Sequence, residues 1–210
     1  MALQRFGTAF LLAITILMAT AVAQTKNEVA GVVGRPFLQD QLVPNTSFFD
    51  NTIHFGKPIS FEVSYGRKLI GTDGLFAVTF EVPVLFTPNV KLNYGIDTIP
   101  KDYSAIFVAP SVRVNIFAAN AVSPWISFGG GIARFKESDS LVFYGPNLGT
   151  TGTTTGIYQI GGGLDVRIWK SISVRGEVRD YNSGVPQLNV DYGKSRQRNL
   201  FAGGGVVWHF

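Results

Sequence analysis

The sequence predicts an all-β protein: a closed antiparallel eight-stranded transmembrane β-barrel, with short turns at one end and four long loops at the other. Three observations predict it. Several stretches alternate with a period of two, large apolar residues on one face and small or charged ones on the other. Connections between those stretches alternate long and short, as a membrane barrel requires. The chain also finishes on NLFAGGGVVWHF, in which Phe210, Trp208, Val206, Gly204, Ala202 and Leu200 share one uncharged face. In a closed membrane barrel the last strand pairs with the first and turns such a face to lipid.

Composition agrees. Charged residues make up 15% of the chain, against roughly 25% in an ordinary soluble domain. There are 24 glycines, and aromatic residues reach 13%. The net charge of +4 is too mild to argue for a nucleic-acid partner. There is no cysteine, which removes disulfides, thiolate metal sites and lipoprotein attachment.

Residues 1–23 read as a cleaved secretory signal peptide. Arg5 precedes an apolar run from Phe10 to Met18, which closes on Ala21-Val22-Ala23. Beyond them no apolar run is long enough for a helical span. Residues 24–210 then form one barrel domain of about 187 residues, enough for eight strands of about ten residues plus loops.

In chain order, Glu28 to Arg35 is a weak first strand whose inward face the pattern leaves open. Residues 36–57 read as a long loop. From Ile59 to Leu69, Ile59, Phe61, Val63 and Tyr65 alternate with Ser60, Glu62, Ser64 and Gly66. Gly71-Thr72-Asp73-Gly74 is a hairpin turn. It leads into Leu75–Phe86, with Phe76, Val78, Phe80, Val82 and Val84 outward and Ala77, Thr79 and Glu81 inward. Residues 87–103 form a second long loop. Ser104–Ile116 follows, with Phe107, Ser111, Arg113 and Asn115 inward; Pro110 cannot donate to a ladder, so a bulge or weakened pairing is expected there.

A short connection leads to the strand Trp125–Phe135, and 136–153 is the third long loop. Thr154–Trp169 carries Gln159, Asp165 and Arg167 inward. A tight turn at Trp169-Lys170-Ser171 leads to Ile172–Tyr181, where Ser173, Arg175, Glu177 and Arg179 share the polar face. The last long loop is 182–198.

The inward charges are Glu62, Glu81, Asp165 and Glu177 against Arg113, Arg167, Arg175 and Arg179. An eight-stranded barrel is just wide enough inside for side chains, and buried charges need partners. The set can be read as an ion path or as a salt-bridged plug; the plug is the reading taken. It favours one register across the Trp169–Ser171 turn, with Asp165 opposite Arg175 and Gly163 opposite Glu177, because slipping by two would oppose like charges. The triplets Gly129–Gly131, Gly161–Gly163 and Gly203–Gly205 lie inside strands and lack phosphate-loop spacing. They are expected to permit curvature and to make room for large neighbours.

Candidate sites are few. His54 lies in a loop without a neighbouring histidine, and His209 is expected inward at the rim. No metal, no cofactor and no catalytic residue is predicted. Asn45-Thr46-Ser47 matches a glycosylation sequon that carries no weight here. Phe48, Phe49, Phe55, Tyr94, Tyr103, Phe143 and Tyr144 can be read as a partner-contacting surface or, more simply, as an upper aromatic girdle or as packing for the loops.

The alternating strands, the Ala21-Val22-Ala23 site, the inward Arg175-x-Glu177-x-Arg179 stretch and the terminal Val206-Val207-Trp208-His209-Phe210 resemble the small eight-stranded bacterial outer-membrane barrels, the OmpA transmembrane-domain and OmpX type. The resemblance covers residues 24–210 by pattern, without a family-specific motif. It implies an outer-membrane location in a Gram-negative-type bacterium after export through the periplasm, with periplasmic turns and extracellular loops. Val206, Trp208 and Phe210 are the C-terminal signature it implies, presented to the barrel-assembly machinery. Outer-membrane lipid and lipopolysaccharide are the implied surroundings. No periplasmic peptidoglycan-binding domain follows, so cell-wall anchoring is not carried over.

The function expected is a non-enzymatic one in envelope structure or surface binding and adhesion through the long loops, with the partner unnamed. One alternative is an outer-leaflet lipid-modifying enzyme, which would need a Ser/His/acid set at the lipid rim; only His54, with Ser47 or Ser60, is available. The other is a small pore.

Overall fold

The computed structural model describes residues 26–43, 51–71, 75–95, 98–190, 193 and 195–210. The predicted leader, the sequon with Ser47, Phe48, Phe49 and the Thr72-Asp73-Gly74 turn lie outside them. The strands are β1 Asn27–Leu38, β2 Gln41–Leu42, β3 Thr52–Phe55, β4 Ser60–Ile70, β5 Phe76–Asn93, β6 Asp102–Val108, β7 Ser111–Ile116, β8 Val122–Glu137, β9 Thr153–Trp169, β10 Ile172–Gly184 and β11 Arg196–His209.

Eight staves close into a ring. β1 pairs β4, β4 pairs β5, β5 pairs β6 and β7, and both of these pair β8. β9, β10 and β11 follow, and β11 closes on β1, with Glu28 opposite His209 and Gly34 opposite Gly203. Every pairing is antiparallel, and because β11 closes on β1 the ring has no open edge in its wall.

β6 and β7 are one stave interrupted at Ala109-Pro110. Pro110 has no amide hydrogen to give, so the ladder is weakened there, as the sequence suggests. No bulge results. Val84 faces Val108 and Glu81 faces Ser111, so the register runs through unbroken. A shift occurs instead on β5 between Thr87 and Val90, where Asn89 has φ 47°.

Alternation sorts the side chains. On β4, Phe61 is 48% exposed and Glu62 1%. Phe76, Phe80, Phe128, Ile132, Ile160, Val178 and Val206 all lie exposed on the outer wall. Phe210 is buried, its ring 4.9 Å from that of the outward Trp208.

The bore has two layers. Toward the short turns it is charged. Toward the long loops it is apolar, built from Val32, Leu85, Phe107, Phe135, Tyr181 and Phe201 of the wall with Ile53, Phe55, Tyr94, Ile99 and Leu188 from the loop end. Phe55, Tyr94 and Tyr103 therefore pack inside rather than in an outer girdle; Tyr103 meets Phe55 and Phe135 edge-on. Phe143 and Tyr144 stay exposed.

The long connections are also more structured than their sequence suggests. β2 pairs β3, and β3 pairs the far end of β5. Asn189 donates to the Thr98 carbonyl and to Asn147 Oδ1, tying three loops together. Buried Glu137 accepts from Thr153 and from the Gln187 amide.

The register across the β9–β10 turn sets Asp165 opposite Arg175 and Gly163 opposite Glu177, with a shift at Ile172/Ser173. Gly163 has a packing reason as well: a Cβ there would come within 2.6 Å of the Trp125 ring. Gly163→Val is expected to destabilise the barrel by about 1–3 kcal/mol, read as a lower urea midpoint.

Candidate functional site: a charged bore and its mouth

Alternation places the inward residues of β1, β4, β5, β7, β8, β9 and β10 around Trp125, which is 2% exposed. Three guanidiniums surround its indole: Arg113 at 5.6 Å, Arg175 at 5.2 Å and Arg179 at 5.0 Å from the ring centroid. Its Nε1 donates to Asp165 Oδ1 at 3.3 Å. An indole face attracts cations most strongly where water is excluded.

Each arginine bridges carboxylates from separate strands. Arg113 reaches Glu28 Oε1 at 2.6 Å and Glu81 Oε2 at 3.1 Å, and its Nε donates to Asn115. Arg175 holds Asp165 through Nε at 2.7 Å and Nη2 at 2.9 Å, and reaches Glu28 at 3.1 Å. Arg179 lies 2.7 Å from Glu81, 3.2 Å from Glu62 and 3.2 Å from Glu177, and also donates to Ser127. Tyr181 closes the layer by donating to Glu62 at 3.0 Å.

Of the eight predicted charges, Glu62, Glu81, Arg113, Asp165, Arg175, Glu177 and Arg179 lie together in this layer. Arg167 does not join them. It is exposed at the short-turn mouth and donates to the Ala118 carbonyl at 3.3 Å. Parity fixes a side chain's face but not its depth along the axis, and Arg167 sits one step too near the end.

Glu28 takes a place that sequence reasoning left open. The signal was thin, since Val29, Val32 and Val33 put apolar residues on both faces of β1. Counting from the closing pair of Glu28 with His209 would have found it.

The mouth holds a cavity of about 200 Å³, lined in part by Glu28, Arg113, Asn115, Arg167, Lys170, Ser173 and His209. His209 points inward, as expected of it. Its Nε2 lies 2.9 Å from Ser173 Oγ, and its Nδ1 lies 3.5 Å from Glu28 Oε2.

The loop end carries a different pair. His54 Nδ1 lies 2.7 Å from Asp40 Oδ2, and Asp40 Oδ1 accepts from the Phe55 amide. The hydrogen bond from His54 holds the Asp40 carboxyl below its ordinary range. A depressed carboxylate stabilises the fold above its unfolded value, near pH 4, and that contribution is lost as pH falls through the folded value. Both groups are about half exposed, so the stabilisation is only about 0.2–1 kcal/mol. In His54→Gln the Asp40 titration midpoint, followed by carboxyl NMR shifts, is expected to move up toward the ordinary value. Ser60, the described serine considered as a nucleophile, is fully buried and donates to Thr87. Among the described residues no cluster of three or more His, Asp or Glu could hold a metal.

No family model matches the sequence, and no curated protein does. Solved structures do match in fold. Neisserial surface protein A aligns over 88% of this chain and 97% of its own, with a TM-score of 0.51 and 13% identity. The outer membrane protein OprG from Pseudomonas aeruginosa aligns over 89% and 96%, with a TM-score of 0.54 and 9% identity. At such identities the likeness is one of fold: the chain has the architecture of the small eight-stranded outer-membrane barrels.

Proposed function

We propose that this chain is an outer-membrane barrel of a Gram-negative-type bacterium, exported through the periplasm, whose bore is plugged. It acts without catalysis at its outer end, in envelope structure or in surface binding and adhesion. The observation that carries this reading is the filled bore. Arg113, Arg175, Arg179 and Trp125 block its charged layer, and Tyr103, Phe107, Phe135 and Phe201 block its apolar layer. Those residues are 2% exposed or less, in a barrel width that side chains alone can fill.

The outer wall supports the lipid surroundings. An apolar band that includes Phe61, Phe80, Ile126, Phe128 and Ile160 would be a liability in water. In a bilayer it is the surface that lipid and lipopolysaccharide require. Short turns then face the periplasm, and the tied loops cap the outside as the binding surface. β11, with Val206 and Trp208 outward, is the strand offered to the assembly machinery. Phe128→Arg is expected to destabilise the bilayer-embedded barrel by about 2–4 kcal/mol, with a smaller loss in detergent, where the micelle can adapt.

Planar-bilayer recording tests the plugged reading. The expected result is no steady conductance. Large, stable single-channel currents would overturn it and favour the pore. Unchanged lipid A in an overexpressing strain is likewise expected, whereas a lost or added acyl chain would favour a lipid-modifying enzyme.

A further inference from the structure

The mouth at the short-turn end contains a constellation that joins Glu28 of the plug to Ser173 and His209, two residues that neither the plug nor the loop surface uses. Ser173 on β10, His209 on β11 and Glu28 on β1 meet across the β10–β11 pairing and the β11–β1 pairing that closes the barrel. Ser173 Oγ is 2.9 Å from His209 Nε2, and His209 Nδ1 is 3.5 Å from Glu28 Oε2. All three line the cavity of about 200 Å³. That is the order of contacts a hydrolytic serine needs: a nucleophile on a base, and the base turned by an acid.

The acid is fixed by its other partners. Glu28 Oε1 is held by Arg113 at 2.6 Å and by Arg175 at 3.1 Å, which leaves Oε2 for the imidazole. A carboxylate clamped by two guanidiniums stays ionised and sets the imidazole with Nδ1–H toward it, so that Nε2 is free to accept from Ser173.

We propose that Ser173, His209 and Glu28 form a hydrolytic site for small esters that enter the barrel from its short-turn mouth. In the first step Ser173 Oγ bonds to the ester carbonyl carbon, and its proton passes to His209 Nε2. The carbonyl–alkoxy bond then breaks, and the alcohol leaves with that proton. Water, deprotonated by His209, releases the acid and restores Ser173. Ser173 and His209 are the catalytic residues, and Glu28 is a positioning residue. Arg167 and Lys170 line the same cavity. Their charge favours the oxyanion and selects esters whose acid or alcohol part is anionic. The cavity volume limits the acyl group to a short one.

The test uses the full barrel refolded in detergent, with folding checked by its heat-dependent mobility. A fluorophosphonate probe is expected to label Ser173, located by peptide mass spectrometry, in the folded protein and not after boiling. Hydrolysis of 4-acetoxybenzoate, an acetate ester with an anionic alcohol part, by the wild type is expected to fall at least about 100-fold in Ser173→Ala and His209→Gln. Glu28→Gln should lower kcat with little change in KM, and Glu28→Asp should recover part of it. Because the labelling is read on the wild type, a variant that fails to fold does not decide the outcome. A folded wild type that leaves Ser173 unlabelled, or that hydrolyses the ester no faster than Ser173→Ala, overturns the proposal. In that case the three side chains only clasp the closing seam.

Discussion

Arg179→Ala is expected to destabilise the barrel by roughly 3–5 kcal/mol, the range for removing one partner of a buried ion pair. Arg179 is fully buried and lies within 3.2 Å of Glu62, Glu81 and Glu177. Without it three carboxylates crowd one water-poor layer with a single guanidinium, Arg113, still on Glu81. The attraction lost is larger than any gain from relieving burial of the arginine, because the partner charges stay behind. Lysine should recover only part of the loss, since a point charge cannot span three carboxylates from different strands. Adding Glu62→Gln to Arg179→Ala should restore some stability, which a double-mutant cycle would read as coupling. Arg167→Ala is the control. Its side chain is exposed at the mouth, and a change within about 0.5 kcal/mol is expected. Urea titration in lipid vesicles, followed by tryptophan fluorescence, measures these variants, with Glu62→Gln alone completing the cycle.

Trp125→Ala is expected to destabilise by a further large amount, about 3–5 kcal/mol. The indole is the centre of the charged layer, with three guanidiniums within 5.6 Å of its centroid and Gly163 making room at its edge. Alanine leaves a cavity and strips each arginine of an aromatic face. Phenylalanine keeps a ring but loses the Nε1 donor to Asp165, a difference of about 1 kcal/mol. The ordering Ala worse than Phe worse than wild type separates packing from the hydrogen bond. Equal effects of the two would deny the ring its role.

Much of this layer was legible in the sequence because period-two alternation is a strong constraint: one slip turns a whole strand inside out. Charge then chose the register, since opposing Asp165 to Arg175 avoided like-charge pairs. Depth along the axis has no such signal, which is why Arg167 was grouped with the buried set. β1 hid Glu28 because valines occupy both of its faces. The apolar cap was hidden for another reason. Ile53 and Phe55 come from β3, a four-residue strand too short to announce its period, and Tyr94, Ile99 and Leu188 come from irregular segments whose contacts follow none. The Ser173–His209–Glu28 contact required the ring to close, and no single stretch of chain reports closure.

The barrel turns its apolar wall to lipid and keeps its charges inside. Electrophoresis of the membrane-extracted protein, with and without boiling in detergent, tests this most directly. A closed barrel stays folded until heated, so two apparent sizes are predicted, the faster or slower one converting fully on boiling, with the protein recovered from the outer-membrane fraction. A single size under both conditions, with the protein free in the periplasm, would contradict the account.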